Sequence, residues 1–159
     1  MENETPSSDV RILKRTPYFR KFANDKFSDS QLIHARGSSR ALVVEDVPEI
    51  CRLNKDLLLD MNFEVDTAED GIDAWKHLEG NAYNLMITDN RMPRMSGVEL
   101  LDKLHGARRF VPTIMATGTV PDEEITCRPW FQFVTILIKP YTLTELRMAV
   151  TQSVRKSSA

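Results

Sequence analysis

The sequence has no apolar run approaching the roughly 18–20 residues that a membrane span requires. Its N-terminus lacks the apolar core of a secretory signal. Only two cysteines occur, Cys51 and Cys127. They are far apart and form neither a CxxC pair nor a Cys/His metal spacing. No sign of charge dominates: 21 Lys and Arg stand against 23 Asp and Glu, a net of −2. These absences argue against a membrane span, a disulfide scaffold, a structural zinc site and direct nucleic-acid binding through global charge. The expectation is a cytoplasmic protein with reduced thiols.

What is present is a chain of 159 residues, of which 42% are apolar. That suits one domain with a sizeable core plus an extension. Charge and periodicity change near Arg40. Residues 1–40 hold eight Lys/Arg and five Asp/Glu, whereas the remainder hold thirteen and eighteen. Residues 1–39 show no sustained period and read as an extension, a flexible tail on composition. Bases interleave with Tyr18, Phe19 and Phe22 in "KRTPYFRKF", so a docking arm is the alternative. His34 in "LIHARG" reads as an ordinary residue of this segment. Residues 40–156 read as the domain, and 157–159 as a tail.

From Arg40 the pattern alternates. "ALVV" (41–44) is a short continuous apolar run, as expected of a strand buried on both faces. Ile50, Leu53, Leu57 and Met61 then share one helical face. "FEVDTA" (63–68) reads as a second strand and "GIDAWKHLEG" (71–80) as a helix closed by glycine. "NLMIT" (84–88), "VPTIMAT" (111–117) and "VTILI" (134–138) read as three more strands. "VELLDKLHG" (98–106) reads as a helix between the first two of these. A last helix starts at Thr142, where Thr142 and Glu145 form a capping box, with Leu143, Leu146, Val150 and Val154 as its apolar stripe. Strand and helix in alternation imply an α/β fold with a parallel sheet and right-handed crossovers. Ligand sites in such sheets lie beyond the carboxyl ends of the strands.

Those ends carry Glu45-Asp46, Asp89, Thr117-Gly118 and Lys139-Pro140. Singly, each has an ordinary explanation. Asp46 could cap the helix near Pro48, Asp89 could open a turn, Thr117 could be a strand-end hydroxyl, and Lys139 a solvated charge. Together, four strand ends of complementary chemistry point to one site. Three carboxylates in a small space repel one another and call for a cation. Mg²⁺ takes oxygen ligands and suits one or two carboxylates plus phosphate oxygens. A carboxylate is a competent nucleophile toward phosphorus. Lys139 and the Thr117 hydroxyl would stabilise the transferred group.

The motifs "VVED" (43–46), "TDNRMPRMSG" (88–97), "MATG" (115–118) and "IKPY" (138–141) resemble the receiver domain of bacterial two-component response regulators, from about Arg40 to Lys156. The resemblance implies a flavodoxin-like, doubly wound, five-stranded parallel sheet of order 2-1-3-4-5, with helices on both faces. It makes Asp89 the phosphoacceptor and Glu45 and Asp46 the Mg²⁺-holding pair, with the Arg91 backbone carbonyl as a further ligand. Thr117 would contact the phosphoryl group and Lys139 would pair with it. Lys139-Pro140 becomes a candidate cis peptide. A histidine kinase or phosphotransfer protein is the implied partner, and the protein is not otherwise an enzyme.

Two features depart from that pattern. Ile136 stands where the family usually has Phe or Tyr, and it cannot make that ring's rotation. "VPDEEITCRPWFQF" (120–133) holds two prolines and little helical repeat, so Pro129 is expected to end any helix there. Trp130, Phe131 and Phe133 then read as core cover or as a partner patch. Order gained in 118–133 is the expected route of the switch, through Thr117 and without an aromatic at Ile136. Truncating Thr117 or Lys139 is expected to leave no core cavity and to change stability by about 1 kcal/mol or less. No output domain is visible, so a stand-alone receiver is expected. Competing readings are a phosphorylation-independent interaction module and an aspartyl phosphatase. The phosphatase would want a second Asp where Arg91 stands.

Overall fold

The computed structural model describes residues 39–120 and 122–157. Residues 1–38 of the N-terminal extension, with Tyr18, Phe19, Phe22 and His34, lie outside the described residues, as do Pro121 and the last two residues. Five strands are present: β1 (Ser39–Val44), β2 (Phe63–Ala68), β3 (Leu85–Asp89), β4 (Thr113–Thr117) and β5 (Thr135–Ile138). The helices are α1 (Pro48–Asp60), α2 (Gly71–Gly80), α3 (Gly97–Gly106), α4 (Asp122–Cys127) and α5 (Leu143–Ser157). The sheet order is β2-β1-β3-β4-β5, and every pairing is parallel.

Strand alternation divides the core into two layers. Leu42, Val44, Met86, Met115 and Ile136 face α2, α3 and Phe131. Ala41, Val43, Leu85, Ile87, Ile114 and Leu137 face α1 and α5. This is why the strands read as continuous apolar runs. Leu42, Leu85 and Met86 are fully buried, each stabilising by about 1.5–3 kcal/mol relative to exposure.

Two helical stripes differ from the sequence expectation. Leu53 is 47% exposed and Leu143 is 45% exposed. On α1 the buried positions are Asn54, Leu57 and Leu58. Asn54 is admitted to the interior because its Oδ1 accepts from the Tyr141 hydroxyl at 3.0 Å, which satisfies a polar group that burial alone would disfavour. On α5, Leu146, Ala149 and Val150 are fully buried.

The segment after β4 breaks ahead of Pro129, as expected. Helix α4 has six residues, and a 3₁₀ turn over Pro129–Phe133 follows. Phe131 is buried and Trp130 packs against the same core layer, so both act as core cover. Arg128 fastens this segment to α3 through Asp102. No helix among the described residues is long and apolar enough to cross a membrane.

Gly97 sits where α3 begins, against the end of β3. A Cβ there would run into the carbonyl oxygen of Asp89. Gly80, at the end of α2, has open space around it. Gly97→Ala should therefore destabilise by about 1–3 kcal/mol, while Gly80→Ala should be neutral or gain up to about 1 kcal/mol. Urea unfolding of the two variants checks this, and equal effects would contradict it.

Candidate functional site

The parallel register brings the chemical groups to one sheet edge. Glu45 follows β1, Asp89 ends β3, Thr117 ends β4 and Lys139 follows β5. Asp89 pairs in register with Ala116, and Thr117 with Ile138. The Lys139-Pro140 peptide is cis, as the resemblance suggested.

Lys139 stands between two carboxylates. Its Nζ lies 3.0 Å from Glu45 Oε2 and 3.2 Å from Asp89 Oδ2. Glu45, Asp46 and Asp89 each offer an oxygen within 4.8 Å of the others. Glu45 is buried, Asp89 half-buried and Asp46 exposed. Asp46 does not cap α1, whose N-cap is Val47 with no side-chain cap bond, and Pro48 opens the helix. Arg91 lies in the loop two residues beyond Asp89, with its side chain exposed.

Electrostatics follow from this arrangement. Burial pushes the Glu45 carboxyl above the usual carboxylate range, and the hydrogen bond and charge of Lys139 only partly oppose it. At Lys139 burial favours the neutral amine. The Glu45 hydrogen bond and the charges of Glu45 and Asp89 outweigh it and raise the ammonium above the ordinary lysine value. Lys139 is thus no solvated surface charge.

Thr117 is buried, and its hydroxyl donates to the Thr119 carbonyl at 3.0 Å. By alternation its side chain lies on the same sheet face as Met115, which pairs with Ile136. Ile136 is buried in that layer.

Several supporting groups carry no local sequence signature. The Asn90 N–H donates to Asp89 Oδ1 at 2.6 Å, while Asn90 Oδ1 accepts from the Val98 N–H at 3.1 Å. Tyr141 reaches Asn54 across 87 residues of sequence. A legible signal was passed over at Ser96 and Glu99, which form a capping box at the start of α3.

The pattern of the response regulator receiver domain matches residues 41–151. The chain belongs to the response regulator receiver family. Chemotaxis protein CheY1 of Helicobacter pylori is 34% identical over 107 residues, 65% of this chain and 86% of that protein. A CheY-like receiver domain from Methanospirillum hungatei superposes with a TM-score of 0.68 at 25% identity, covering 76% of this chain and 96% of that one. The response regulator protein TrrA of Thermotoga maritima, solved with Mg²⁺ and beryllium fluoride, gives a TM-score of 0.63 at 28% identity. That match covers 72% of this chain and 98% of that one.

For this receiver domain the all-oxygen donor set fits a hard divalent cation. Three carboxylates face one ammonium, which leaves an excess of negative charge.

The ammonium also changes the stability expected of its removal. Lys139→Met leaves buried Glu45 without its counter-charge, so the cost at pH 7 is about 1–3 kcal/mol, above the small change expected from strand-end position alone. Without Lys139 the folded Glu45 pKa rises further above its unfolded value. The variant's native state then binds more protons than its unfolded state, so its stability falls as pH rises through that window. Urea unfolding at pH 4.5 and pH 8 should show a deficit that grows with pH. An equal deficit at both would contradict the pairing.

Proposed function

We propose that the domain, residues 40–156, takes a phosphoryl group from a histidine kinase or phosphotransfer protein onto Asp89 and thereby switches the binding of a protein partner. The observation that carries this reading is the single ammonium of Lys139 bridging Glu45 and Asp89 at the carboxyl edge of the sheet. Glu45, Asp46, Asp89 and the Arg91 backbone carbonyl would hold Mg²⁺. When bound, the ion supplies positive charge beside the phosphoryl oxygens.

An Asp89 carboxylate oxygen forms the new bond to phosphorus as the donor's phosphorus–nitrogen bond breaks. The electron pair stays on the departing imidazole nitrogen, which takes up a proton. Lys139 pairs with the phosphoryl oxygens. The Thr117 hydroxyl exchanges its bond to the Thr119 carbonyl for one to the phosphoryl group. That exchange pulls on the loop into α4, so residues 118–133 transmit the change while Ile136 stays packed. The protein catalyses only its own phosphorylation and dephosphorylation, in the cytoplasm.

Buried Ile136, in place of the usual aromatic, favours a second reading: an interaction module that keeps the fold without using phosphorylation. Intact-mass measurement after acetyl phosphate treatment separates the two. One phosphoryl adduct, dependent on Mg²⁺ and absent in Asp89→Asn, is expected. An adduct that persists in Asp89→Asn overturns the acceptor. No adduct in the native chain favours the interaction module.

A further inference from the structure

The loop between β3 and α3, residues 90–96, is held at three points. At its ends, the Gly97 N–H donates to the Asn90 carbonyl at 3.0 Å, and Asn90 closes onto Asp89 and Val98. Its middle is held by the start of α2. The Gly71 N–H donates to the Met95 carbonyl at 3.1 Å. A Cβ on Gly71 would collide with Met95, so the two backbones meet closely.

Asp70 supplies the third hold. Its side chain is buried, and its two oxygens have separate tasks. Oδ1 accepts from the Ile72 and Asp73 N–H groups at 2.9 and 3.0 Å, capping α2. Oδ2 is left for the Arg94 guanidinium. Arg94 takes this position with φ of 63°, a conformation costly for a residue with a side chain. A cap alone needs only one oxygen, and the second is taken by Arg94, whose side chain stays 53% exposed.

We infer that Asp70 and Arg94 are positioning residues for the acceptor site: their ion pair anchors the loop that carries Asn90 and the Arg91 carbonyl, and so sets the site's affinity for a divalent cation. This rests on the metal reading given above. The hydrogen bonds of Asp70 run to Ile72, Asp73 and Arg94, so the pair would act on the site through the loop, as outer partners do at metal sites.

Two variants separate anchoring from stability. Asp70→Asn keeps the Oδ1 cap but presents an amide NH₂, a donor, to the Arg94 guanidinium. Arg94→Gly removes the guanidinium and suits the positive φ, which offsets part of the cost of leaving the buried Asp70 carboxylate without its counter-charge. In the full chain, Mg²⁺ titration should show a dissociation constant about tenfold weaker in each single variant. The double variant should be no worse than the singles, because both remove one interaction. Amide exchange of Asn90, Gly97 and Val98 without metal should quicken in all three. A purely structural role would move the melting temperature and leave Mg²⁺ affinity within twofold of the native chain, and that overturns the inference. So does an additive double variant. If the native chain binds no Mg²⁺, the metal reading above fails. Amide exchange then decides the anchor by itself: quickened exchange supports it and unchanged exchange overturns it.

Discussion

One ammonium group organises the carboxyl edge of this sheet. Lys139 reaches from the end of β5 to Glu45 after β1 and Asp89 at the end of β3. Without it, a buried carboxylate and a half-buried one would face each other with Asp46 nearby. Two charges brought together in a poorly solvated place cost more than they do in water. The parallel sheet makes this convergence unavoidable, because its register brings four strand ends to one edge. The cluster is still one ammonium short of neutrality even with Asp46 set aside, which is the physical reason a divalent cation suits it.

The remaining structure holds that edge still. Gly97 lets α3 start directly beside the Asp89 backbone. Asn90 ties Asp89 to Val98, and the start of α2 grips the middle of the same loop. On the other side, the Tyr141–Asn54 bond fastens the segment after Lys139 to α1. The β4–β5 connection has less regular structure. It breaks into a six-residue helix and a 3₁₀ turn, anchored by Phe131 and by Arg128 on Asp102. A rigid site joined to a less regular segment is the arrangement a local switch needs.

The strands and the acidic edge were legible because buried parallel strands leave continuous apolar runs, and the polar residue ending each run marks the sheet edge. β2 and α2 were read to the residue, and the proline-broken segment was anticipated from Pro129. In the α1 stripe Leu57 and Met61 pack as expected, while Leu53 is exposed and Asn54 is buried instead, because its place in the core depends on Tyr141, far along the chain. Leu143 shares the helical period of Leu146 and Val150 but is 45% exposed, and periodicity alone does not show where along a helix burial begins. The Asp70–Arg94 pair spans 24 residues and leaves no periodic trace. Asp70 looked like an ordinary residue before a helix, and only the folded loop gives its second oxygen a partner. The surroundings of Lys139 were hidden for a related reason: strand-end position indicates solvent, while the burial of Glu45 does not show in its own sequence neighbourhood.

The central claim is that Lys139 offsets carboxylate charge that a divalent cation would also offset. Ammonium and cation then compete for Glu45 and Asp89. The Mg²⁺ dissociation constants of the native chain, Lys139→Met and Glu45→Gln, measured by calorimetric titration at pH 7, test this directly. Lys139→Met should bind Mg²⁺ more tightly than the native chain, and Glu45→Gln more weakly. Weaker binding in Lys139→Met, or unchanged binding in Glu45→Gln, would contradict it.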